Sequence, residues 1–300
     1  MNIAVLIPCF NEALSINRVV SDFKHYLPAA KIYVYDNNSN DNTAEVARLA
    51  GAIVRTETRQ GKGYVVSRMF GDIDADIYFL IDGDGTYDVS AAPLFIQTLI
   101  DEAYDFVNGL RVESDIQNYR HGHRFGNYML TTLVAYIFDH RFKDMLSGYK
   151  VFTRKFVKSF PHSSSGFEIE TQLIVHALQM GIPATELPVK YINRVEGSES
   201  KLNTYRDGFR ILFTIFRLFI QEKPMTFFGA LSFAIFLFIS FLFIPILNTY
   251  FETGLVPRYP TLISIVGLGM ACLLCLLTGF ISSSISITRK EMRRLSYLAS

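Results

Sequence analysis

The sequence has little cysteine and almost no net charge. Three cysteines in 300 residues are too few for a disulfide framework. A formal net charge of +1 lacks the positive excess typical of nucleic-acid-binding proteins, so no nucleic-acid partner is expected. Charged residues make up only 19% of the chain and apolar residues 50%, which excludes a disordered protein. The question is where the apolar excess lies.

Charge is scarcest in the last quarter of the chain. Between Met225 and Thr288 the only charged residues are Glu252 and Arg258, and they separate two apolar runs at 225–247 and 262–287. Each run is long enough to cross a hydrocarbon core of roughly 30 Å as a helix. Helices buried in a soluble core are the alternative, but such helices keep a polar stripe that these runs lack. We therefore predict an integral membrane protein with two spans.

Basic residues flank the two runs and predict their orientation. Residues 1–224 carry a net charge of −2 and residues 225–300 one of +3. The positive-inside rule places both termini and the N-terminal domain in the cytoplasm, and residues 1–8 lack the features of a signal peptide. The flanking residues are Arg206, Arg210, Arg217 and Lys223 on one side and Arg289, Lys290, Arg293 and Arg294 on the other.

Three parts are predicted along the chain. Residues 1–204 form a cytoplasmic catalytic domain, 205–224 an amphipathic helix at the membrane surface, and 225–300 a transmembrane hairpin with a short basic tail. In residues 205–221 apolar side chains alternate with arginines, a pattern that is typical of an interfacial helix and also of a helix packed on a protein core. Because this segment adjoins the first span, we favour a helix that contacts membrane lipids. Gly267 and Gly269 in the second span would permit close packing in a homo-oligomer.

Residues 1–110 alternate apolar runs with segments of helical periodicity. Such alternation predicts an α/β fold, a Rossmann-like, mostly parallel sheet with helices on both faces, which binds ligands at the carboxyl ends of its strands. The predicted strands are 3–8, 31–35, 52–55, 77–81 and 105–110, and the predicted helices are 11–26, 43–50, 61–70 and 92–103.

Polar clusters follow the first, second and fourth predicted strands, at residues 8–12, 36–43 and 82–86. Each alone is ordinary turn chemistry, and Asp41 and Thr43 are predicted to cap the next helix. Together the clusters define one edge of a cleft. Asp82 and Asp84 can share a hard divalent cation, and the glycines beside them let a phosphate approach the backbone. Oxygen ligands favour Mg²⁺ or Mn²⁺ over zinc.

The ordered motifs resemble the family 2 glycosyltransferases of GT-A fold, and within them the polyprenyl-phosphate glycosyltransferases, the group of dolichol-phosphate mannose synthase. The resemblance covers about residues 1–224. Its elements are Pro8-x-Phe10-Asn11-Glu12, Asp36-x-x-Ser39-x-Asp41-x-Thr43, Gly61-Lys62-Gly63, Asp82-x-Asp84, Gly109-Leu110-Arg111, Arg124 and the segments 147–150, 166–170 and 194–202.

The resemblance implies a role for each matching residue. Asp82 and Asp84 would hold the metal and the donor diphosphate, with Lys62 also suited to the diphosphate. Arg111 and Arg124 would face the acceptor phosphate and act with Asp84 in catalysis. The pocket for base and ribose would be lined by Pro8, Phe10, Glu12 and Asp36, and a mobile loop closing over phosphates would carry Arg194, Ser200 and Lys201.

Two positions depart from the family pattern. Thr86 stands where relatives that make dolichol-phosphate mannose often have a glutamine near the metal, which puts its metal role in doubt. Asn37 replaces the second aspartate of the commoner Asp-Asp pair, which leaves the choice of a UDP or GDP donor open.

The activity implied is an inverting transfer of a sugar from a nucleotide diphosphate sugar to a polyprenyl phosphate, undecaprenyl or dolichyl. Because the lipid phosphate is mostly a dianion at pH 7, it needs no protein base. Two alternatives stay open. One is a family 2 transferase acting on a sugar hydroxyl, with Asp144 as the candidate base; without tryptophan, the chain lacks the Gln-x-x-Arg-Trp motif of processive synthases. The other is a non-catalytic nucleotide-sugar-binding scaffold, which would not need Asp82 and Asp84.

Overall fold

The computed structural model describes residues 1–113, 142–161, 166–195, 204–256 and 258–299, together with 132, 134, 137 and 197. The chain divides into two compact units. The first comprises Met1–Thr214 with Arg293–Ser300, and the second comprises Ile215–Met292.

The first unit is built on a mixed sheet with the strands β1 (Ile3–Cys9), β2 (Lys31–Asp36), β3 (Ile53–Thr56), β4 (Ile77–Leu80), β5 (Phe106–Glu113), β6 (Lys150–Thr153) and β7 (Ala184–Tyr191). Their order in the sheet is β3-β2-β1-β4-β6-β5-β7. Neighbouring strands are parallel except around β6, which is antiparallel to both β4 and β5. The predicted mostly parallel sheet is therefore confirmed.

Helices cover both faces of this sheet, so β4 is buried at every position. Apolar side chains at helical spacing, such as Val19, Val20 and Phe23, form the core with the strands. In chain order, the α-helices whose bounds the structure describes before residue 181 are α1 (Ile16–Tyr26), α2 (Thr43–Leu49), α3 (Lys62–Asp72), α4 (Ala92–Asp101), α5 (Arg154–Ser159) and α6 (Glu168–Met180).

Helix α1 begins five residues later than the sequence pattern predicts. Asn11 adopts a positive φ of 54°, and the backbone N–H groups of Ser15 and Ile16 both donate to the carbonyl oxygen of Glu12. Residues 11–15 therefore form a turn at the end of β1. The register pairs Cys9 with Asp36 in the neighbouring strand, so the polar segments after β1 and β2 lie side by side.

Three helices complete the chain: α7 (Thr204–Glu222), α8 (Pro224–Thr253) and α9 (Tyr259–Ala299). The second and third, of 30 and 41 residues, are long and apolar enough to cross a membrane, as the two apolar runs predict. Helix α7 is amphipathic in its burial, because Ile211 and Ile215 are buried while Phe209, Phe213 and Phe216 are exposed.

The last turns of α9 belong to the first unit. The Tyr297 hydroxyl donates to the carboxylate of Asp105, next to the start of β5. The Ser296 hydroxyl donates to the carbonyl oxygen of Lys158 at 3.0 Å.

Candidate active site

The segment that follows β1 is hydrogen-bonded to side chains of the polar cluster at residues 36–43, which follows β2. The three backbone N–H groups of residues 11–13 each donate to a side-chain oxygen of this cluster, so the cluster residues hold the loop in place. Asn42 occupies the N-cap position of α2, and Oδ1 of Asp41 accepts a hydrogen bond from the N–H of Thr43, the first residue of that helix, at 3.0 Å. The bonds run from Asn11 N to Ser39 Oγ (2.9 Å), Glu12 N to Thr43 Oγ1 (2.8 Å) and Ala13 N to Asp41 Oδ2 (3.1 Å).

Asp36 carries a carboxylate oxygen that has no protein donor among the described residues. The residue is only 6% exposed. Its Oδ2 accepts a hydrogen bond from the backbone N–H of Ser39 at 3.2 Å, whereas Oδ1 is buried without a partner. Since buried polar atoms are normally hydrogen-bonded, this oxygen is suited to a hydroxyl or N–H group of a ligand. Glu12, also buried, and the half-buried Pro8 and Phe10 lie on the adjacent strand end.

Asn37 fixes the segment that leads into α3. Its Nδ2 donates to the carbonyl oxygens of Glu57 (2.9 Å) and Arg59 (2.8 Å), and its Oδ1 accepts from the N–H of Gly61 at 2.7 Å. Gly61 has a φ of 137°, a conformation that favours glycine. The amide is needed because an aspartate would face two carbonyl oxygens, so this departure from the family pattern has a structural reason.

We expect Asn37→Asp to lower the melting temperature by roughly 5–10 °C, because a buried carboxylate facing two carbonyls costs about 2–3 kcal/mol. The matched control is Asn38→Asp, whose exposed side chain also donates to a carbonyl, that of Thr58. Thermal unfolding of the purified protein measures both variants. Equal melting temperatures for the two would contradict the structural role of Asn37.

Asp84 is held in a fixed orientation beyond the end of β4. Its Oδ1 accepts from the backbone N–H (3.1 Å) and the hydroxyl (2.7 Å) of Thr86, and its Oδ2 lies 2.5 Å from Nη2 of Arg194. Burial and the neighbouring Asp82 carboxylate raise the pKa of Asp84 above its ordinary value, against the opposing effect of Arg194. Thr86, at the position of the relatives' glutamine, therefore orients Asp84.

Lys62, at the start of α3, lies between two carboxylates. Its Nζ is 2.5 Å from Asp82 Oδ1 and 2.5 Å from Glu170 Oε1, on α6. Burial alone would lower the pKa of Lys62, but these two carboxylates raise it above its ordinary value, so the ammonium stays charged. In the motif segment 166–170, Glu170 contacts Lys62, and Glu168 accepts a hydrogen bond from the backbone N–H of Gly166 at 2.9 Å.

The loop before β6 packs directly on Asp82. A Cβ at Gly148 would overlap the Asp82 carboxylate, so any larger residue at this position would displace that carboxylate. The N–H of Gly148 donates to the hydroxyl of Tyr87 at 2.7 Å. Sequence reasoning missed Tyr87; its position directly after the cluster 82–86 was the available signal.

Another buried lysine, Lys150, lies two residues after Gly148, at the start of β6. Lys150 is fully buried in β6, and its Nζ donates to Oδ1 of Asn108 at 2.5 Å. Burial lowers the pKa of Lys150 to about 8. Its polar side chain within a run of apolar strand residues was a sequence signal for a special environment.

Arg111 on β5 forms a two-point ion pair with Asp144. Its Nε lies 2.6 Å from Oδ2 and its Nη2 lies 2.8 Å from Oδ1. Asp144 is 4% exposed. Both carboxylate oxygens therefore face a guanidinium, which makes Asp144 poorly suited to take a proton from a hydroxyl group.

An aromatic pair connects Arg111 with the acidic end of β4. The guanidinium carbon lies 5.5 Å from the ring centroid of Tyr191, and that ring packs on Tyr87 at 5.2 Å. Since Tyr87 also contacts the loop that covers Asp82, the structure brings Arg111 to the same region as Lys62, Asp82, Asp84 and Arg194. Arg124, Ser200 and Lys201 lie outside the described residues.

The acidic pair fits a divalent cation that is shared with a substrate. Among the described residues there is no group of three or more histidine, cysteine, aspartate or glutamate side chains that would form an all-protein metal cage. Mg²⁺ is commonly bound through one or two carboxylates with the remaining positions filled by substrate phosphates and water. Asp82 and the oriented Oδ2 of Asp84 supply that kind of donor set.

Comparison with known proteins identifies the family. A family model described as glycosyl transferase family 2 matches residues 4–160. Glycosyltransferase AglJ of Haloferax volcanii is 35% identical over 238 residues, 77% of each chain. The dolichyl-phosphate hexose transferase of the same organism is 25% identical over 222 residues, 74% of this chain and 96% of that protein.

A solved structure shares the fold. The glucosyl-3-phosphoglycerate synthase of Mycobacterium tuberculosis, in complex with Mn²⁺, UDP and phosphoglyceric acid, aligns with a TM-score of 0.60 at 20% identity, covering 71% of this chain and 78% of that one. The GT-A fold expected from the motifs is confirmed. The chain is a family 2 glycosyltransferase.

Proposed function

We propose that the protein transfers a sugar from a nucleotide diphosphate sugar to a polyprenyl phosphate, with inversion at the anomeric carbon. The observation that carries this proposal is the Arg111–Asp144 pair. A hydroxyl acceptor would require a carboxylate base, and the candidate base Asp144 is instead ion-paired with the guanidinium of Arg111. A guanidinium is well suited to bind a phosphate. The relative named as a dolichyl-phosphate hexose transferase supports the same acceptor class.

The donor side is assigned to the strand ends of β1, β2 and β4. The unpartnered oxygen of Asp36 is suited to a donor group of the nucleoside, in a pocket that Pro8, Phe10 and Glu12 would line. Asp82 and Asp84 would hold Mg²⁺ or Mn²⁺, which when bound neutralises charge on a leaving diphosphate. Lys62 adds a buried positive charge at this point.

The acceptor phosphate supplies its own nucleophile. As a dianion at pH 7, its oxygen forms the new bond to the anomeric carbon while the bond from that carbon to the nucleotide diphosphate breaks. The transition state has oxocarbenium character. Arg111 would hold the acceptor phosphate in line, and Arg124, Arg194, Ser200 and Lys201 are proposed as further phosphate contacts.

The proposed acceptor and the two apolar helices both support a membrane location. A polyprenyl phosphate stays in the bilayer, and α8 and α9 are long and apolar enough to anchor the protein there. We propose that the catalytic domain and both termini are cytoplasmic, since basic residues flank the spans. The exposed face formed by Phe209, Phe213 and Phe216 would lie among the lipids at the surface.

A panel of labelled UDP- and GDP-sugars, tested with undecaprenyl and dolichyl phosphate in detergent, tests the proposal. We expect label in an organic-extractable, mild-acid-labile product for at least one pair. Label in a polymer or glycan would instead support a hydroxyl acceptor. No transfer with any pair would support a non-catalytic binding protein.

A further inference from the structure

Each carboxylate of the acidic pair is already in contact with a cationic side chain. Lys62 contacts Asp82 at 2.5 Å, and Arg194 contacts Asp84 at 2.5 Å. A divalent cation bound by these same oxygens would stand next to an ammonium and a guanidinium group, and like charges at such distances repel strongly. The side chains of Lys62 and Arg194 therefore compete with the metal for the same carboxylate oxygens.

We propose that Lys62 and Arg194 are exchangeable partners, bound to the acidic pair before the donor arrives and transferred to the donor diphosphate when the metal enters. The inference rests on the proposed function, because it needs a nucleoside diphosphate and a divalent cation at this site. It adds an order to the binding events: the free protein should bind the metal weakly, and metal and diphosphate should each favour the binding of the other.

The contacts of Lys62 are arranged for such a transfer. Glu170 is buried, with 7% of its side chain exposed, whereas 27% of the Asp82 side chain is exposed. When Lys62 leaves Asp82 for a diphosphate, its bond to Glu170 keeps the ammonium paired within the protein. Glu170 thus acts as a positioning residue that keeps Lys62 at the site.

Asp84 and Arg194 show the complementary arrangement. The bonds from Thr86 hold Asp84 Oδ1, so the carboxylate keeps its orientation when the contact at Oδ2 changes. Arg194 lies outside the helices and strands, just beyond the end of β7, and 28% of its side chain is exposed. It can exchange the carboxylate for a phosphate oxygen without disturbing the sheet.

The test measures Mn²⁺ and nucleotide binding separately, using the full-length protein in detergent. Binding of Mn²⁺ alone is followed by the electron paramagnetic resonance signal of the free ion, and binding of UDP and GDP by calorimetry at saturating Mn²⁺. Lys62→Met should tighten Mn²⁺ binding by about tenfold or more, and weaken binding of the preferred nucleoside diphosphate by about tenfold. Arg194→Met should shift both affinities in the same directions.

Two control variants isolate the charge. Lys62→Arg keeps a cation beside Asp82 and should keep an Mn²⁺ affinity near that of the wild type. Arg59→Met removes an arginine that is mostly exposed and pairs with Glu57 instead of the acidic pair, so it should change neither affinity. If Lys62→Met does not fold, Arg194→Met carries the same test from a more exposed position.

Opposite shifts in the two affinities support the proposal. Unchanged or weaker Mn²⁺ binding by the folded Met variants overturns it, while leaving the proposed function intact if the wild type binds both ligands and transfers sugar. A wild type that binds no Mn²⁺ even in the presence of UDP or GDP overturns both this inference and the proposed metal role.

Discussion

Asp84→Asn is expected to lower sugar transfer to the polyprenyl phosphate by about a hundred- to a thousandfold, the scale seen when an enzyme loses a group that stabilises transition-state charge. The substitution replaces an anionic oxygen, Oδ2, by an amide nitrogen that faces Arg194 Nη2 and cannot bind a metal. The other oxygen can still accept both bonds from Thr86, so the loop should keep its shape. Initial rates with added Mg²⁺ or Mn²⁺ measure the effect.

Asp88→Asn is the matched control for this prediction. Asp88 follows in the same segment, and its carboxylate accepts a bond from the backbone N–H of Ser90 at 2.9 Å. This bond does not involve Asp82 or Arg194, so we expect the transfer rate of the Asp88→Asn variant to lie within about twofold of that of the wild type. A near-wild-type rate for Asp84→Asn would show that the proposed metal role is wrong.

Features coded by short stretches of sequence could be predicted. The apolar runs of β1, β2 and β4 identify the strands, and the parallel pairing of those strands places Asp36 near the end of β1. The acidic pair follows a fully buried strand, so its position at the sheet edge also follows from local pattern. The two long apolar helices follow from composition alone.

Contacts between distant parts of the chain could not be predicted. Lys62 and Glu170 are 108 residues apart, and no periodicity in either segment indicates the other. The same applies to the antiparallel insertion of β6 between β4 and β5, which brings Gly148 onto Asp82. Side-chain preferences favoured a helix cap for Thr43, yet its hydroxyl accepts from the backbone of Glu12, in a loop 31 residues away.

Asp144→Asn is expected to reduce transfer about a hundredfold, because it breaks the buried ion pair that orients Arg111. The amide would present a donor to a guanidinium that now meets carboxylate oxygens at 2.6 and 2.8 Å, and removing one member of a buried pair typically costs 3–5 kcal/mol. Arg111→Lys should also lose activity, since a lysine cannot form the two-point contact. Melting temperatures separate these losses from unfolding.

The pH dependence of the residual activity distinguishes a positioning role for Asp144 from a role as general base. With a phosphate acceptor, the rate should fall below about pH 6, where the second ionisation of the phosphate reverses. Because this ionisation belongs to the acceptor, Asp144→Asn should lower the whole profile and keep its acid limb. A polyprenyl phosphonate, whose second pKa is higher, should move the limb to higher pH in wild type and variant alike. The opposite result would be an acid limb that disappears in Asp144→Asn and keeps the same pH in the wild type when the phosphonate replaces the phosphate. That result would assign the proton transfer to Asp144 and favour a hydroxyl acceptor.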